Sequence, residues 1–91
     1  MKKYLIERHI PGVHKFTAAE YAGATEVSNA ALAKLAPRIQ WVESYVTEDK
    51  TLCVYIAEDE SVIHEHSKLS GFPANKITEI RRVIDPSTAS S

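Results

Sequence analysis

Residues 39 to 47 and 51 to 57 are two runs rich in Val, Ile, Tyr, Trp and Thr, and only the polar Glu48-Asp49-Lys50 separates them. So short a break between two β-favouring runs predicts an antiparallel hairpin in the middle of the chain. What flanks this hairpin restricts the fold to very few arrangements. On each side the sequence places one helix and then one further strand.

On the N-terminal side, Tyr4, Leu5, Ile6 and Ile10 lie among charged residues, and Pro11-Gly12 ends the run as a turn signal. Thr17-Ala18-Ala19-Glu20 has capping-box spacing, so a helix is expected to begin there. Its inward stripe, Tyr21, Ala24, Ser28, Ala31, Leu32 and Leu35, follows a 3.6-residue period, and Pro37 prevents much extension. On the C-terminal side, Asp59 can cap a second helix with Val62, Ile63, His66 and Leu69 inward, Gly71 as its stop and Pro73 beyond. Ile77 to Ile84 then reads as strand four. The order βαββαβ predicts an α+β, ferredoxin-like sandwich, with a four-stranded antiparallel sheet carrying both helices on one face. Residues 1–86 form the expected domain, and 87–91, poor in apolar pattern, an expected flexible tail.

With 91 residues there is room for one core, and 44% hydrophobic against 25% charged residues is the balance of a folded chain. A net charge of -1 provides no basic field for phosphates, which argues against nucleic acid and anionic membranes as partners. No apolar run approaches the roughly 20 residues needed to span a bilayer, and charge comes too early for a signal peptide, so a cytoplasmic protein is expected. The one cysteine, Cys53, has no internal disulfide partner. A core this small makes a homodimer the expected partner arrangement.

Hairpin register decides which side chains share a face. A two-residue turn at Asp49-Lys50 pairs Val46 with Cys53 and mixes the faces. A three-residue loop, Glu48 to Lys50, pairs Tyr45 with Cys53 and gathers Val42, Val46, Leu52, Val54 and Ile56 on the other side. The second register is preferred because it offers the helices an aliphatic surface. It leaves Trp41, Glu43, Tyr45, Cys53 and Tyr55 on the open face, with Ile6 inward and Glu7 and His9 outward.

That open face needs a partner, a ligand or a polar coat. Trp41, Tyr45 and Tyr55 combine large apolar areas with polar tips, as pocket and interface residues do. Two such sheets facing one another would form a dimeric α/β barrel around Glu7, Glu43, Cys53 and the aromatics. Thiolate, imidazole and carboxylate together suit a borderline metal, which makes Cys53 with His9 and Glu43 a possible cluster. No familiar metal spacing is present, and a lone buried cysteine is ordinarily a packing residue. His64 and His66 project about 200° apart on a helix and cannot grip one ion together. His66, on the apolar stripe, is either a further donor or a hydrogen-bonded core histidine, and His64 is expected in solvent. Glu7 and Glu43 could work as acid and base if they met in a cleft. No nucleophile turn or glycine-rich phosphate loop supports a hydrolase or a nucleotide enzyme. One of Arg81 and Arg82 is expected to balance the glutamates.

Ile39-Gln40-Trp41-Val42, Ser44-Tyr45-Val46-Thr47, Asp49-Lys50, Cys53-Val54-Tyr55-Ile56-Ala57, Glu65-His66 and Gly71-Phe72-Pro73 resemble a bacterial group of small ferredoxin-like proteins. Ile6-Glu7-Arg8 and Arg81-Arg82-Val83-Ile84-Asp85-Pro86 extend the match over nearly the whole chain. The group is largely of unknown function, with one branch described as nickel-binding or nickel-responsive and dimeric. The resemblance therefore implies nickel as the metal and a dimer as the assembly. Two functional expectations follow. One is a dimeric nickel protein using some of His9, Glu7, Glu43, Cys53 and His66. The other is a small-molecule-binding protein or enzyme with its cavity over the open face, Trp41 as a wall, and Tyr45 and Tyr55 as hydrogen-bond donors. A structural domain without ligand is a third.

Overall fold

The computed structural model describes residues 1–90; Ser91, the end of the expected tail, lies outside the described residues. Strand β1 spans Lys2–His9, helix α1 Ala18–Leu35, β2 Ile39–Val46, β3 Lys50–Ala57, α2 Glu60–Ser70 and β4 Lys76–Ile80. The sheet order is β2-β3-β1-β4 with every neighbouring pair antiparallel, and both helices supply residues to the core on one face. This is the ferredoxin-like βαββαβ arrangement.

Local signals decide where the elements begin and end. The Thr17 hydroxyl accepts the Glu20 N–H at 3.1 Å while the Glu20 carboxylate accepts the Thr17 N–H at 3.0 Å, so the expected capping box starts α1. Asp59 accepts the N–H groups of Ser61 and Val62 at the head of α2, and Gly71, at φ 80°, closes it in the left-handed conformation that glycine adopts without strain. Strand β4 stops at Ile80, four residues short of the expected Ile84. It is an edge strand that pairs only with β1, and Ile80 already lies opposite Lys3, so β1 has almost no backbone left to pair with. Pro86–Ser90 forms a 3-10 turn in the segment where the sequence pattern predicts no structure.

The hairpin register differs from both of those considered. Thr47 donates its N–H to the Lys50 carbonyl at 2.9 Å, so the turn is Glu48-Asp49 and Cys53 lies opposite Ser44. A bulge between Trp41 and Glu43 then reverses the alternation within β2. The preferred face assignment is therefore corrected. Cys53 and Tyr55 turn toward the helices beside Tyr4, Ile6 and Ala57, and Trp41 packs against the same core. Leu52, Val54 and Ile56 lie on the open face with Leu5, while Val42 is exposed at the bulge. Ile6 inward and Glu7 and His9 outward agree with the expectation for β1.

The core joins Tyr4, Ile6, Tyr55 and Ala57 of the sheet to Leu35 of α1 and to Val62 and Ile63 of α2. Leu69, expected inward, is 48% exposed. Helical period sets the direction of a side chain but not whether anything lies in that direction, and α2 ends one residue later.

Candidate ligand-binding site

Small residues on the inner face of α1 do two different things along its length. Near the C-terminal end, Ala31 and Leu35 are buried in contact with the rest of the protein. Nearer the N-terminus, Ala24 is too short to reach the sheet and Ser28 reaches inward only to His66 and Tyr55, and a cavity of about 500 Å³ lies beside them. It sits toward the hairpin end of the sheet. Phe16, Tyr21, Trp41 and Phe72 form much of its apolar wall, and Arg8, Thr51, Cys53 and Tyr55 contribute from the sheet. Trp41 stacks on Tyr55 with ring centroids 6.5 Å apart and planes 19° apart, its indole N–H donating to the Ser44 hydroxyl at 2.9 Å.

The sheet side carries a buried polar chain. Arg8 is only 3% exposed. Its Nη1 donates to the Pro73 carbonyl at 2.6 Å and more weakly to that of Phe72 at 3.4 Å, and Nη2 reaches the Tyr55 hydroxyl at 3.5 Å. Burial pushes the Tyr55 phenol above its ordinary range. Behind Tyr55, the His66 ring lies 5.4 Å from the Tyr55 ring, and its Nε2 is 3.1 Å from the Ser28 hydroxyl. Burial, with Arg8 adding like-charge repulsion, lowers the His66 pKa to about 4, so the imidazole is neutral near pH 7. Its Nδ1 has no hydrogen-bond partner among the described residues. Cys53 is buried, with its thiol donating to the Thr51 hydroxyl at 3.4 Å.

The candidate ligands divide between the two sides of the sheet. Cys53 and His66 are on the helix side. Glu7 and Glu43 are on the open face with β3 between them. His9 is exposed at the end of β1. Among the described residues no three of His, Cys, Asp and Glu come together as a metal-binding group. Glu7 is held below the usual carboxylate range mainly by Lys50, whose Nζ is 3.1 Å away, so a lysine rather than an arginine balances it. Arg81 pairs instead with Glu79, and Glu43 accepts a hydrogen bond from the Tyr45 hydroxyl. Of the three aromatics expected to share a pocket, Trp41 and Tyr55 do, on the helix side, whereas Tyr45 is on the opposite face and 53% exposed.

Arg8 is the site residue that sequence reading passed over. Its signal was present, because alternation from Tyr4 and Ile6 directs Arg8 to the same inward face.

Comparison with known proteins gives one structural likeness to consider. The crystal structure of SCO4226 from Streptomyces coelicolor A3(2) is similar over 90% of this chain and 99% of that one, with a TM-score of 0.74 at 10% identity. At that identity the likeness speaks for the fold alone. No curated protein matches the chain. A family model described as nickel responsive protein SCO4226-like matches residues 4–80, from the first strand to the end of the last, and the chain belongs to that family.

Proposed function

We propose that this chain is a non-catalytic binding protein that holds one small, largely apolar molecule between α1 and the sheet. The observation that carries this reading is the cavity of about 500 Å³, within the usual range for small-molecule pockets. The space is open on one side, so solvent enters it when no ligand is bound, and its apolar walls favour an apolar ligand that displaces that water.

Trp41, the chain's single tryptophan, lines this cavity and supplies the readout. Titration of tag-free protein with 4-phenylbutanol and 4-phenylbutyrate is expected to give a saturable change in Trp41 emission with at least one of them. Ala24→Phe, which places a phenyl ring in the space beneath α1, is expected to weaken it. No saturable change with either compound, or undiminished binding by that variant, removes the pocket from the function.

Nickel responsiveness comes to this chain through its family's description. The donors do not fit a nickel centre within one chain, because Cys53 and His66 are separated by the sheet from Glu7 and Glu43. Calorimetric titration of the same tag-free sample with Ni²⁺ is expected to give nothing tighter than millimolar. Micromolar binding lost in Cys53→Ala or His9→Ala would transfer the function to the metal.

We also propose that two copies pair through their open sheet faces as a homodimer. Leu5, Leu52, Val54 and Ile56 form a half-buried aliphatic centre there, and Val42 and Tyr45 add exposed area. The surrounding charges include Glu7 and Glu43 as well as Lys3, Lys50 and Lys76, so a second copy can oppose acid to base. Light scattering is expected to show a dimer at micromolar concentration that Val54→Asp converts to a folded monomer. A wild-type monomer, or a Val54→Asp dimer, overturns this arrangement.

A further inference from the structure

We infer that the cavity selects monoanionic organic acids, with Arg8 receiving the ligand's carboxylate while the apolar walls take its hydrocarbon or aromatic body. This rests on the pocket reading above and names the ligand class.

The argument begins with a charge that lacks a counter-charge. Removing a guanidinium from water costs several kcal/mol even after relaxation, which is why buried arginines are ordinarily paired with acids. Arg8 is 3% exposed. Among the described residues, none of the ion pairs involves it. Its partners are all neutral: two backbone carbonyls and the Tyr55 hydroxyl. The Tyr55 ring adds a cation–π contact, with Cζ 5.7 Å from its centroid. Its cross-strand neighbour Thr51 is neutral as well.

The unused donors suit a carboxylate. A guanidinium has five N–H groups in a planar fork. Nη1 is directed at the Phe72 and Pro73 carbonyls and Nη2 contacts Tyr55, whereas Nε and the second Nη2 donor make no bond among the described residues. Nε with Nη2 is the edge of the fork that accepts two oxygens of one carboxylate side by side. The two carbonyls hold the plane of the fork in place, so little side-chain entropy remains to be lost on binding.

One arginine in a largely apolar cavity matches one negative charge. A phosphate would bring further charge and further oxygens, and among the described residues lining the cavity Arg8 is joined as a basic side chain only by His9, exposed at the end of β1. A cationic ligand would meet repulsion from Arg8.

Matched compounds of one shape provide the test, with Trp41 emission as the readout. Wild-type protein is expected to bind 4-phenylbutyrate about thirtyfold or more tightly than 4-phenylbutanol, the lower range for pairing a buried charge. Arg8→Met is expected to lose that preference while retaining the alcohol's affinity. Because this variant removes the hydrogen bonds to Phe72 and Pro73 and can fail to fold, wild-type protein is also titrated with 4-phenylbutylamine, which is expected to bind more weakly than the alcohol. Equal affinity for acid and alcohol, or tighter binding of the amine, overturns the acid assignment and leaves the pocket reading intact. Absence of binding by all three compounds overturns both.

Discussion

Replacing Ile6 by Ala is expected to lower stability by about 3 to 4 kcal/mol, whereas Leu5→Ala, one residue away, is expected to cost much less in the isolated protomer. Ile6 is fully buried beneath the helices, opposite Cys53 on β3 and Ile77 on β4, and truncating it opens a cavity that the packed core cannot close. Leu5 points the other way, onto the half-buried open face beside Val54. Urea unfolding of both variants at several protein concentrations checks this. The Ile6→Ala loss should be independent of concentration, while any Leu5→Ala loss should grow with concentration if the proposed pairing between copies holds. The reverse order of losses in the protomer would place the core on the wrong side of the sheet.

The second large effect belongs to pH and comes from His66. In the unfolded chain its imidazole titrates near the ordinary value of about 6.5, but in the fold burial and the nearby Arg8 charge lower this to about 4. Between those values the unfolded state takes up a proton that the folded state refuses. The contribution of neutral His66 is therefore complete above pH 6.5 and is lost as pH falls toward 4. At pH 4.5 the loss is about 2 to 3 kcal/mol relative to pH 7. His66→Gln should start less stable at pH 7, because its fit between Ser28 and Tyr55 is poorer, yet lose about that much less on acidification. Carboxylates titrate alike in both proteins, so the difference in urea midpoints isolates His66. Parallel pH profiles would show that burial does not hold the imidazole neutral.

Much of the architecture was legible along the chain because its signals are local. Thr17 and Glu20 bond to one another across three residues, Asp59 bonds to Ser61 and Val62, and Gly71 supplies the left-handed turn, all independently of what packs above them. Strand identity likewise followed from β-branched and aromatic content. The site was less legible. The pattern groups Trp41, Tyr55 and Cys53 on one face but directs that face away from the helices, whereas all three line the cavity on the helix side together with Arg8, which alternates with Tyr4 and Ile6.

The reason lies in the composition of β3. Leu52, Val54 and Ile56 alternate with Thr51, Cys53, Tyr55 and Ala57, so either face of this strand can cover a core. A preference for aliphatic residues beneath the helices chose the wrong one. Two features outside the reach of pattern reading set the observed choice: a turn at Glu48-Asp49 and a bulge in β2 that turns Trp41 and Glu43 to opposite sides. Sequence alone thus determined the order and type of the elements and their caps, since these depend on backbone bonding within a few residues. Tertiary structure decided which sheet face the helices cover, where α1 leaves a cavity, and that a buried arginine borders it. Those outcomes depend on register across strands and on packing between elements far apart in the chain, where a one-residue shift reverses every side chain.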